Sequence, residues 1–156
     1  LGDVYKRQVL ANLPMAFDLV LIDCPPALGL LTLNALVAAD AVLIPTQPQA
    51  ADLRGLALFL ETLETIKSEL NPDLETLGVL VTFYDSRLVH HQEAVRAMRA
   101  AGLPILPAIV GRSVRVAEAA GAGRSVVTFE AGNPRAGEYR QLAEIIDKWL
   151  ENEKRD

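Results

Sequence analysis

A chain of 156 residues with 51% hydrophobic residues is long enough to bury a sizeable core, which excludes a disordered chain and fits one globular domain or most of one. The formal charge of −5 argues against a protein that coats nucleic acid or an anionic membrane with its whole surface, so any nucleic-acid site must be a local basic patch. Cys24 is the only cysteine, which excludes an intrachain disulfide and a cysteine-based zinc site and is typical of a reducing cytoplasm.

The first eight residues, LGDVYKRQ, contain no initiating Met and can be back-translated into the transposase mosaic-end adapter used to prepare sequencing libraries. We interpret residues 1–8 as a non-native, adapter-derived segment and leave them out of the fold prediction. The alternative is a genuine polar segment that leads into a helix. Residues 9–156 are expected to form a single α/β domain fragment.

Apolar runs and helical periods alternate along the rest of the chain. Short apolar runs bounded by polar or turn residues predict strands at residues 19–22, 40–45, 77–85, 104–110 and 125–129. Apolar residues at helical spacing predict helices at residues 30–39, 52–70, 91–101, 114–120 and 135–150. Alternation of strands and helices implies right-handed crossovers, so we predict an α/β fold with a doubly wound, mostly parallel sheet and helices on both faces.

Three of the predicted strands end in residues that can bind ligands. These residues are Asp23, the Pro45-Thr46-Gln47 turn and the segment from Thr82 to Asp85. In open parallel sheets, ligands gather outside the carboxyl ends of the strands. A carboxylate in that place can hold Mg²⁺, usually through water, because this small cation keeps part of its hydration shell. The alternative is that Asp23 only caps the following turn by accepting hydrogen bonds from backbone N–H groups.

Four blocks of the sequence together resemble one known family. These blocks are FDLVLIDCPPALGLLTLNALVAADAVLIPTQ, LRGLALFLETLETIK, LNPDLETLGVLVTFYDSR and SVRVAEAAGAGRSVV. In their order and spacing they are similar to the ParA-type partition ATPases, which belong to the deviant Walker A group together with the MinD-type ATPases. The resemblance runs from about residue 17 to residue 150 and corresponds to the C-terminal portion of the family's P-loop NTPase-like domain.

The resemblance implies an Mg²⁺-dependent ATP hydrolase in which ATP joins two subunits into a homodimer. Asp23 matches the family's Walker B acid, which would make it a catalytic residue that holds Mg²⁺ through water. Five positions match family segments that lie near the adenine and are implied to bind the nucleotide. They are Thr82, Asp85, Gly111, Arg112 and Ser113.

The resemblance also implies a partner set for the whole protein. The family's ATP-bound dimer binds DNA without sequence preference, and a centromere-binding ParB-type protein stimulates hydrolysis and releases it. Arg87 and Arg115 match basic residues that contact DNA phosphates in the family, and Arg112 and Arg124 are further candidates. The alternative for each arginine is a solvated side chain that pairs weakly with a nearby acid. The expected location is the cytoplasm, in association with the nucleoid.

The sequence departs from the family pattern in ways that limit the activity expected of it. Gly111-Arg112-Ser113 stands where many members carry Pro-Arg-Asn, and Pro48 to Ala51 replaces an acidic and aromatic stretch. No glycine-rich phosphate loop with its lysines occurs in these 156 residues. Phosphoryl transfer depends on holding and neutralising the phosphates, so we expect the fragment alone to be inactive while its full-length parent hydrolyses ATP.

Two further functional classes remain beside a chromosome or plasmid partition ATPase. One is a MinD-like or other cargo-positioning ATPase that works on a membrane or protein scaffold, and the other is a nucleotide-free binding module. A membrane-bound relative usually ends in a basic amphipathic helix with exposed apolar residues. The tail DKWLENEKRD is mixed in charge and poor in apolar residues after Leu150, which favours DNA over membrane as the partner.

Four side chains are predicted to have only structural roles. Adjacent residues of a helix point about 100° apart, so His90 and His91 cannot chelate one metal and are expected to face solvent. Cys24 is expected to be a small buried side chain, and Trp149 is expected to lie in the apolar stripe that docks the last helix on the sheet.

Overall fold

The structure of the protein, a computed structural model, describes residues 17–153. Its strands are β1 (Ala41–Thr46), β2 (Glu75–Tyr84) and β3 (Ile105–Gly111). Its helices are α1 (Leu30–Ala38), α2 (Ala50–Glu69), α3 (Val89–Ala100), α4 (Val114–Gly121), α5 (Val126–Phe129) and α6 (Pro134–Glu153). Strands and helices alternate up to α4, and most bounds differ from the sequence prediction by one or two residues, which is the ordinary uncertainty of helix and strand ends.

The three strands form one parallel sheet in the order β1-β2-β3. In the pair of β2 and β3, Val79 lies opposite Ile105, and Val81 lies opposite Ile109. The pairing then shifts, so that Tyr84 lies opposite Gly111. Parallel strands joined through helices are the α/β arrangement that the sequence predicts, and this fold class is confirmed.

Close packing at Gly78 permits the pairing of β2 with β3. The φ angle of Gly78 is 142°, a conformation that side chains rarely adopt. A Cβ atom at this position would lie 2.6 Å from the carbonyl oxygen of Pro104 and 2.7 Å from Cδ2 of Leu106. The next residue, Val79, donates its N–H to that same Pro104 oxygen at 2.8 Å. Only glycine therefore allows the two backbones to approach this closely.

The chain divides into two compact units. Within the described residues, the first unit comprises the chain up to Val42 together with Gly55–Thr76, and the second comprises Leu43–Arg54 and the chain from Leu77 onward. In the first unit, the buried apolar side chains include Leu56, Leu63, Ile66 and Leu74. The side-chain amide of Asn71 is buried as well and donates to the carbonyl oxygens of Leu36 and Ala39 at 2.9 and 2.8 Å.

The core of the second unit lies between its sheet strands and α6. Buried side chains of β2 and β3 form a cluster of Leu80, Leu106, Ala108 and Val110. The partly buried Tyr139, Leu142 and Ile145 of α6 and Leu43 of β1 pack against this cluster. The last helix therefore docks through an apolar stripe, as its periodicity predicts, and Trp149 is half-buried on the same helix.

The predicted strand at residues 19–22 is wrong for the structure as described. These residues form neither helix nor strand, and their side chains are exposed, Leu21 by 78%. A buried strand needs a hydrogen-bonding neighbour and a covered face, and no strand among residues 17–153 pairs with this run. Cys24 is also exposed, so the prediction that it is buried is wrong for the same reason.

The predicted strand at residues 125–129 is also wrong, because Val126–Phe129 is a short helix. Its β-branched residues favour a strand by propensity alone. The hydroxyl of Ser125 instead accepts the backbone N–H of Thr128 at 3.3 Å and caps the helix, while Val126 is buried. Capping and burial therefore decide the conformation of this segment.

Candidate functional site

A cavity of about 490 Å³ lies in the second unit, where all three strands end. Gln47 follows β1, Phe83 and Asp85 stand at the end of β2, and Arg112 follows β3. The remaining lining residues are Gln49, Leu88, His90 and His91. The cavity thus occupies the carboxyl edge of the sheet, where the sequence predicts ligand binding, and its volume falls in the ordinary range for small-molecule sites.

The backbone at Phe83 has an unusual conformation. Its φ angle of 51° makes it the only residue other than glycine with a positive φ in the described chain. A bulky residue in the left-handed region stores strain of about 1–3 kcal/mol and occurs most often where a site needs it. Here the register of β2 against β3 shifts between Val81 and Tyr84, and the Phe83 ring is 54% exposed beside the cavity.

The turn after β2 is held by a two-pronged ion pair between Asp85 and Arg87. Nη2 of Arg87 donates to Oδ2 of Asp85 at 2.7 Å, while Nε and the backbone N–H of Arg87 donate to Oδ1 at 3.0 Å. These hydrogen bonds hold the pKa of the Asp85 carboxyl well below its usual range and raise the pKa of Arg87. Asp85 therefore remains ionised in the cavity wall, and Arg87 is highly exposed beside it.

His91 is buried, so the prediction that it faces solvent is wrong, whereas His90 is exposed as predicted. Nδ1 of His91 accepts the backbone N–H of Asp85 at 3.0 Å. The His91 ring meets the edge of His90 at a centroid distance of 4.6 Å and lies 6.0 Å from the Tyr84 ring. Burial follows because α3 begins just after the turn, so that its first turn faces back toward Asp85.

Two glutamines supply the amide groups of the cavity. Nε2 of Gln49 donates to Oε1 of Gln47 at 3.3 Å. The end of β1 that carries them is tied to β2, because the hydroxyl of Thr82 donates to the carbonyl oxygen of Thr46 at 3.1 Å. This pair of amides retains free donor and acceptor atoms for a polar ligand.

The structure brings two of the five predicted nucleotide-binding residues, Asp85 and Arg112, to the cavity. The other three do not line it and have structural contacts instead. Thr82 bonds to β1 as described, and the Ser113 hydroxyl accepts the N–H of Arg115 at 3.1 Å and caps α4. The backbone N–H of Gly111 donates to Oε2 of Glu138 at 2.9 Å.

Gly111 lies directly against a side chain of α6. A Cβ atom on Gly111 would lie 1.6 Å from Nη1 of Arg135. That guanidinium is itself fixed, because Nη2 of Arg135 pairs with Oε1 of Glu138 at 2.9 Å. The strand end that leads to Arg112 is therefore held by a glycine and an ion pair together.

The arginines predicted to bind DNA fall into two groups. Arg112 lines the cavity, and Arg87 is bound to its wall through Asp85. Arg115 pairs with Glu118 at 2.7 Å and with Glu130 at 3.3 Å, and its pKa is raised, chiefly by the hydrogen bond to Glu118.

Arg124 belongs to the second group, near the α4–α5 junction. Its guanidinium lies over the Phe129 ring at 5.7 Å and donates to the carbonyl oxygen of Thr128. Arg112 differs from the other three, since within residues 17–153 its guanidinium makes no ion pair, hydrogen bond or ring contact.

Asp23 lies in the first unit, in an exposed segment before α1. The following turn is held by Thr32, whose hydroxyl donates to the carbonyl oxygen of Ala27 at 2.7 Å. The Asp23 carboxylate accepts no hydrogen bond from the part of the chain that the structure describes, so the alternative in which it caps this turn is wrong there. A carboxylate with no hydrogen-bond partner among residues 17–153 suits a hydrated cation.

The described residues contain neither a cluster of metal ligands nor a membrane-spanning helix. No group of three or more histidine, cysteine or acidic side chains there could hold a metal ion. None of the helices in residues 17–153 is both long and apolar enough to cross a membrane.

Sequence reasoning missed several of the residues that line the cavity. Gln47 and Phe83 stand in strand-end segments that the sequence singles out, but nothing in the pattern indicates Gln49 or Leu88. The contribution of His91 depends on how α3 packs against the turn after β2, and no local spacing encodes that contact.

Known proteins resemble this chain in sequence. A family model described as an AAA domain matches residues 4–76. The chromosome-partitioning ATPase Soj of Thermus thermophilus is 43% identical over 131 residues, covering 83% of this chain and 53% of that protein. The chromosome partitioning protein ParA of Myxococcus xanthus is 38% identical over 143 residues, covering 91% of this chain and 50% of that protein. The chain therefore spans about half the length of the curated relatives it matches.

Solved structures resemble the fold. Cobyrinic acid a,c-diamide synthase from Mycobacterium smegmatis matches with a TM-score of 0.76 and 34% identity over 94% of this chain and 54% of that one. A structure of the same enzyme with bound ADP and magnesium matches with a TM-score of 0.65 and 40% identity over 72% of this chain and 46% of that one.

The cell division ATPase MinD of Pyrococcus furiosus matches with a TM-score of 0.73 and 25% identity over 92% of this chain and 57% of that one. The sequence relatives and fold neighbours thus include two proteins named as ATPases and one enzyme with bound ADP and magnesium. By these similarities, the chain belongs to the ParA-type ATPase family.

Proposed function

We propose that this chain is part of a chromosome or plasmid partition ATPase and that its cavity receives the adenine of ATP. The observation that carries the proposal is the cavity at the carboxyl edge of the sheet. Relatives of about 40% identity are named as a chromosome-partitioning ATPase or as chromosome partitioning proteins, which supports the same activity for the protein to which this chain belongs.

The lining of the cavity suits a flat, polar ring. The Phe83 ring and the Leu88 side chain offer exposed apolar surface, on which a base can pack. The amides of Gln47 and Gln49 offer hydrogen-bond donors and acceptors for the edge of the ring. The guanidinium of Arg112 adds a positive charge that suits the nucleotide's anionic end.

Asp23 is the residue of this chain that would hold Mg²⁺, through water or directly. Its carboxylate is exposed, and oxygen ligands from one or two acids are what Mg²⁺ usually takes from a protein. When bound, the ion would supply positive charge to the phosphates. The structure of the M. smegmatis enzyme with bound ADP and magnesium supports ATP and Mg²⁺ as the cofactors of the family.

Hydrolysis is proposed for the whole protein. Stabilising the phosphates needs a glycine-rich loop with lysines, and these 156 residues contain none. The chain itself supplies the base contacts and one acid. We therefore expect weak binding and no turnover from the chain alone.

The full-length protein is proposed to bind DNA without sequence preference. The proposed contacts to the DNA phosphates are Arg87, Arg112, Arg115 and Arg124. Arg112 is available as it stands, while Arg87 and Arg115 must exchange their carboxylate partners for phosphates. Exposed ion pairs contribute little, so such an exchange costs little. An ATP-joined homodimer and a ParB-type partner complete the proposal for the full-length parent in the nucleoid.

A MinD-like function on a membrane or protein scaffold is the second candidate. The resemblance to the cell division ATPase MinD supports it, with a TM-score of 0.73. The two candidates differ in the surface on which the full-length protein assembles. A sedimentation assay with ATP, using double-stranded DNA in one arm and anionic lipid vesicles in the other, separates them.

Calorimetric titration of the chain with adenosine and with Mg-ATP tests the proposed cavity. We expect both ligands to bind with similar dissociation constants, on the order of millimolar, because the chain contacts the base but not the phosphates. No measurable binding of adenosine would contradict the base site. Micromolar affinity for Mg-ATP would contradict the view that this chain cannot hold the phosphates by itself.

A further inference from the structure

His91 is a buried titratable side chain that neither the fold nor the proposed nucleotide contacts account for. It is 6% exposed, and its ring centroid lies 6.0 Å from that of Tyr84 and 4.6 Å from that of His90. It also belongs to the cavity wall. A polar ring that is almost fully buried needs a partner for each of its nitrogens or contact with water.

The hydrogen bond to Asp85 fixes which nitrogen of His91 carries the proton. Nδ1 accepts the backbone N–H of Asp85 at 3.0 Å and so must present its lone pair. In a neutral imidazole the other nitrogen, Nε2, is then the N–H donor. The turn after β2 therefore selects one tautomer.

Nε2 of His91 is left without a protein acceptor. Within residues 17–153 it forms no hydrogen bond, and it is not sealed from solvent. Since the His91 ring is otherwise buried and lines the cavity, its exposed nitrogen is an N–H donor at the cavity surface. A fixed donor in a concave site recognises an acceptor on whatever fills the site.

We propose that Nε2–H of His91 donates to a ring nitrogen of the bound nucleobase, which makes His91 a specificity-determining residue of the cavity. This inference rests on the proposed function, because it assumes that a nucleotide base occupies the site. The donor is held in place through Asp85, so little freedom is lost when the ligand binds.

The surroundings favour an uncharged acceptor over a phosphate. The Asp85 carboxylate beside His91 is already paired with Arg87, so this pair offers no net positive charge to a phosphate. The exposed ring of Phe83 offers a face on which a heteroaromatic ring can stack. A ring nitrogen is the neutral acceptor that such a ring carries.

Deaza analogues test this hydrogen bond, because each replaces one ring nitrogen of adenosine by a carbon. The dissociation constants of adenosine and its 1-, 3- and 7-deaza analogues are measured by NMR titration of the whole chain. We expect one analogue to bind roughly fivefold to tenfold more weakly than adenosine, as the loss of one hydrogen bond implies. Equal affinity for all four ligands would overturn the inference.

Two substitutions separate the Nε2–H donor of His91 from its Nδ1 atom, which accepts the N–H of Asp85. His91→Asn keeps an acceptor near the N–H of Asp85 but lacks the Nε2 donor, so we expect it to lose the discrimination between adenosine and that analogue. His91→Gln places an amide donor near Nε2 but does not accept from Asp85, so we expect weaker binding of adenosine with the discrimination retained. A His91→Asn chain that discriminates as strongly as the original would overturn the inference while leaving the base site intact.

A direct readout on the unmodified chain covers the case in which a variant fails to fold. Long-range nitrogen-15 spectra of the His91 ring report its tautomer, and we expect protonated Nε2 with a resonance that shifts on adding adenosine but not on adding the discriminated analogue. Protonated Nδ1 in the free chain would overturn the inference. Failure of adenosine to bind at all would overturn both this inference and the proposed base site.

Discussion

The side-chain amide of Asn71 satisfies two backbone carbonyls at the end of α1, and its removal is a direct test of the packing in the first unit. Asn71 is 1% exposed and donates to Leu36 and Ala39 at 2.9 and 2.8 Å. The bond to Leu36 is buried and the bond to Ala39 is partly buried, and the loss of each leaves an acceptor without its partner, at a cost of about 1–2 kcal/mol. We therefore expect Asn71→Ala to lower the free energy of unfolding by about 2–4 kcal/mol.

Thermal unfolding followed by circular dichroism measures this loss. For a chain of this size, about 2–4 °C of Tm corresponds to each kcal/mol, so Tm is expected to fall by roughly 5–15 °C. Asn152→Ala on the exposed face of α6 is the matched control, with an expected change within about 0.5 kcal/mol. Equal Tm values for the two variants would refute the assignment of a structural role to the Asn71 amide.

Three further substitutions test other contacts. Gly78→Ala forces a side chain into a conformation with φ of 142° and against the next strand, and urea unfolding should show a loss of at least about 2 kcal/mol; an unchanged midpoint would refute the close approach. Gly111→Ala should displace the Arg135 guanidinium, which a crystal structure of the variant would show, and an undisturbed guanidinium would contradict the packing. The Asp85 pKa is lowered in the folded state, so its ion pair with Arg87 contributes stability above about pH 4 that is lost as the pH falls. In urea unfolding, the free energy of unfolding of Asp85→Asn should therefore differ from that of the original chain at pH 7 and approach it in acid. A difference in unfolding free energy that grows in acid would contradict this reasoning.

Much of the fold follows from local patterns because strands and helices here bury faces that their periodicity marks. The helix at residues 135–150 is the clearest case, since its apolar stripe docks on the sheet as predicted. The run at residues 19–22 shows the limit of this reasoning. An apolar pattern indicates that a segment can be buried, but it does not indicate which other part of the protein covers that segment.

The site was predictable in outline and not in detail. Asp85 and Arg112 lie at strand ends, where position alone points to ligand binding, and both line the cavity. Thr82 follows the same rule, yet its hydroxyl is used to bind β1 to β2. His91 was assigned to solvent because helix geometry describes neighbours along one helix and carries no information on the turn that the helix packs against.

Photo-crosslinking with 8-azidoadenosine tests most directly whether the cavity receives a base. After irradiation and digestion with trypsin, we expect adducts in the peptides of residues 68–87 and 88–96, which carry Phe83, Asp85 and His91, and we expect excess adenosine to suppress them. Adducts confined to peptides without a cavity-lining residue, such as residues 141–148 of α6, would contradict the placement of the nucleotide in this cavity.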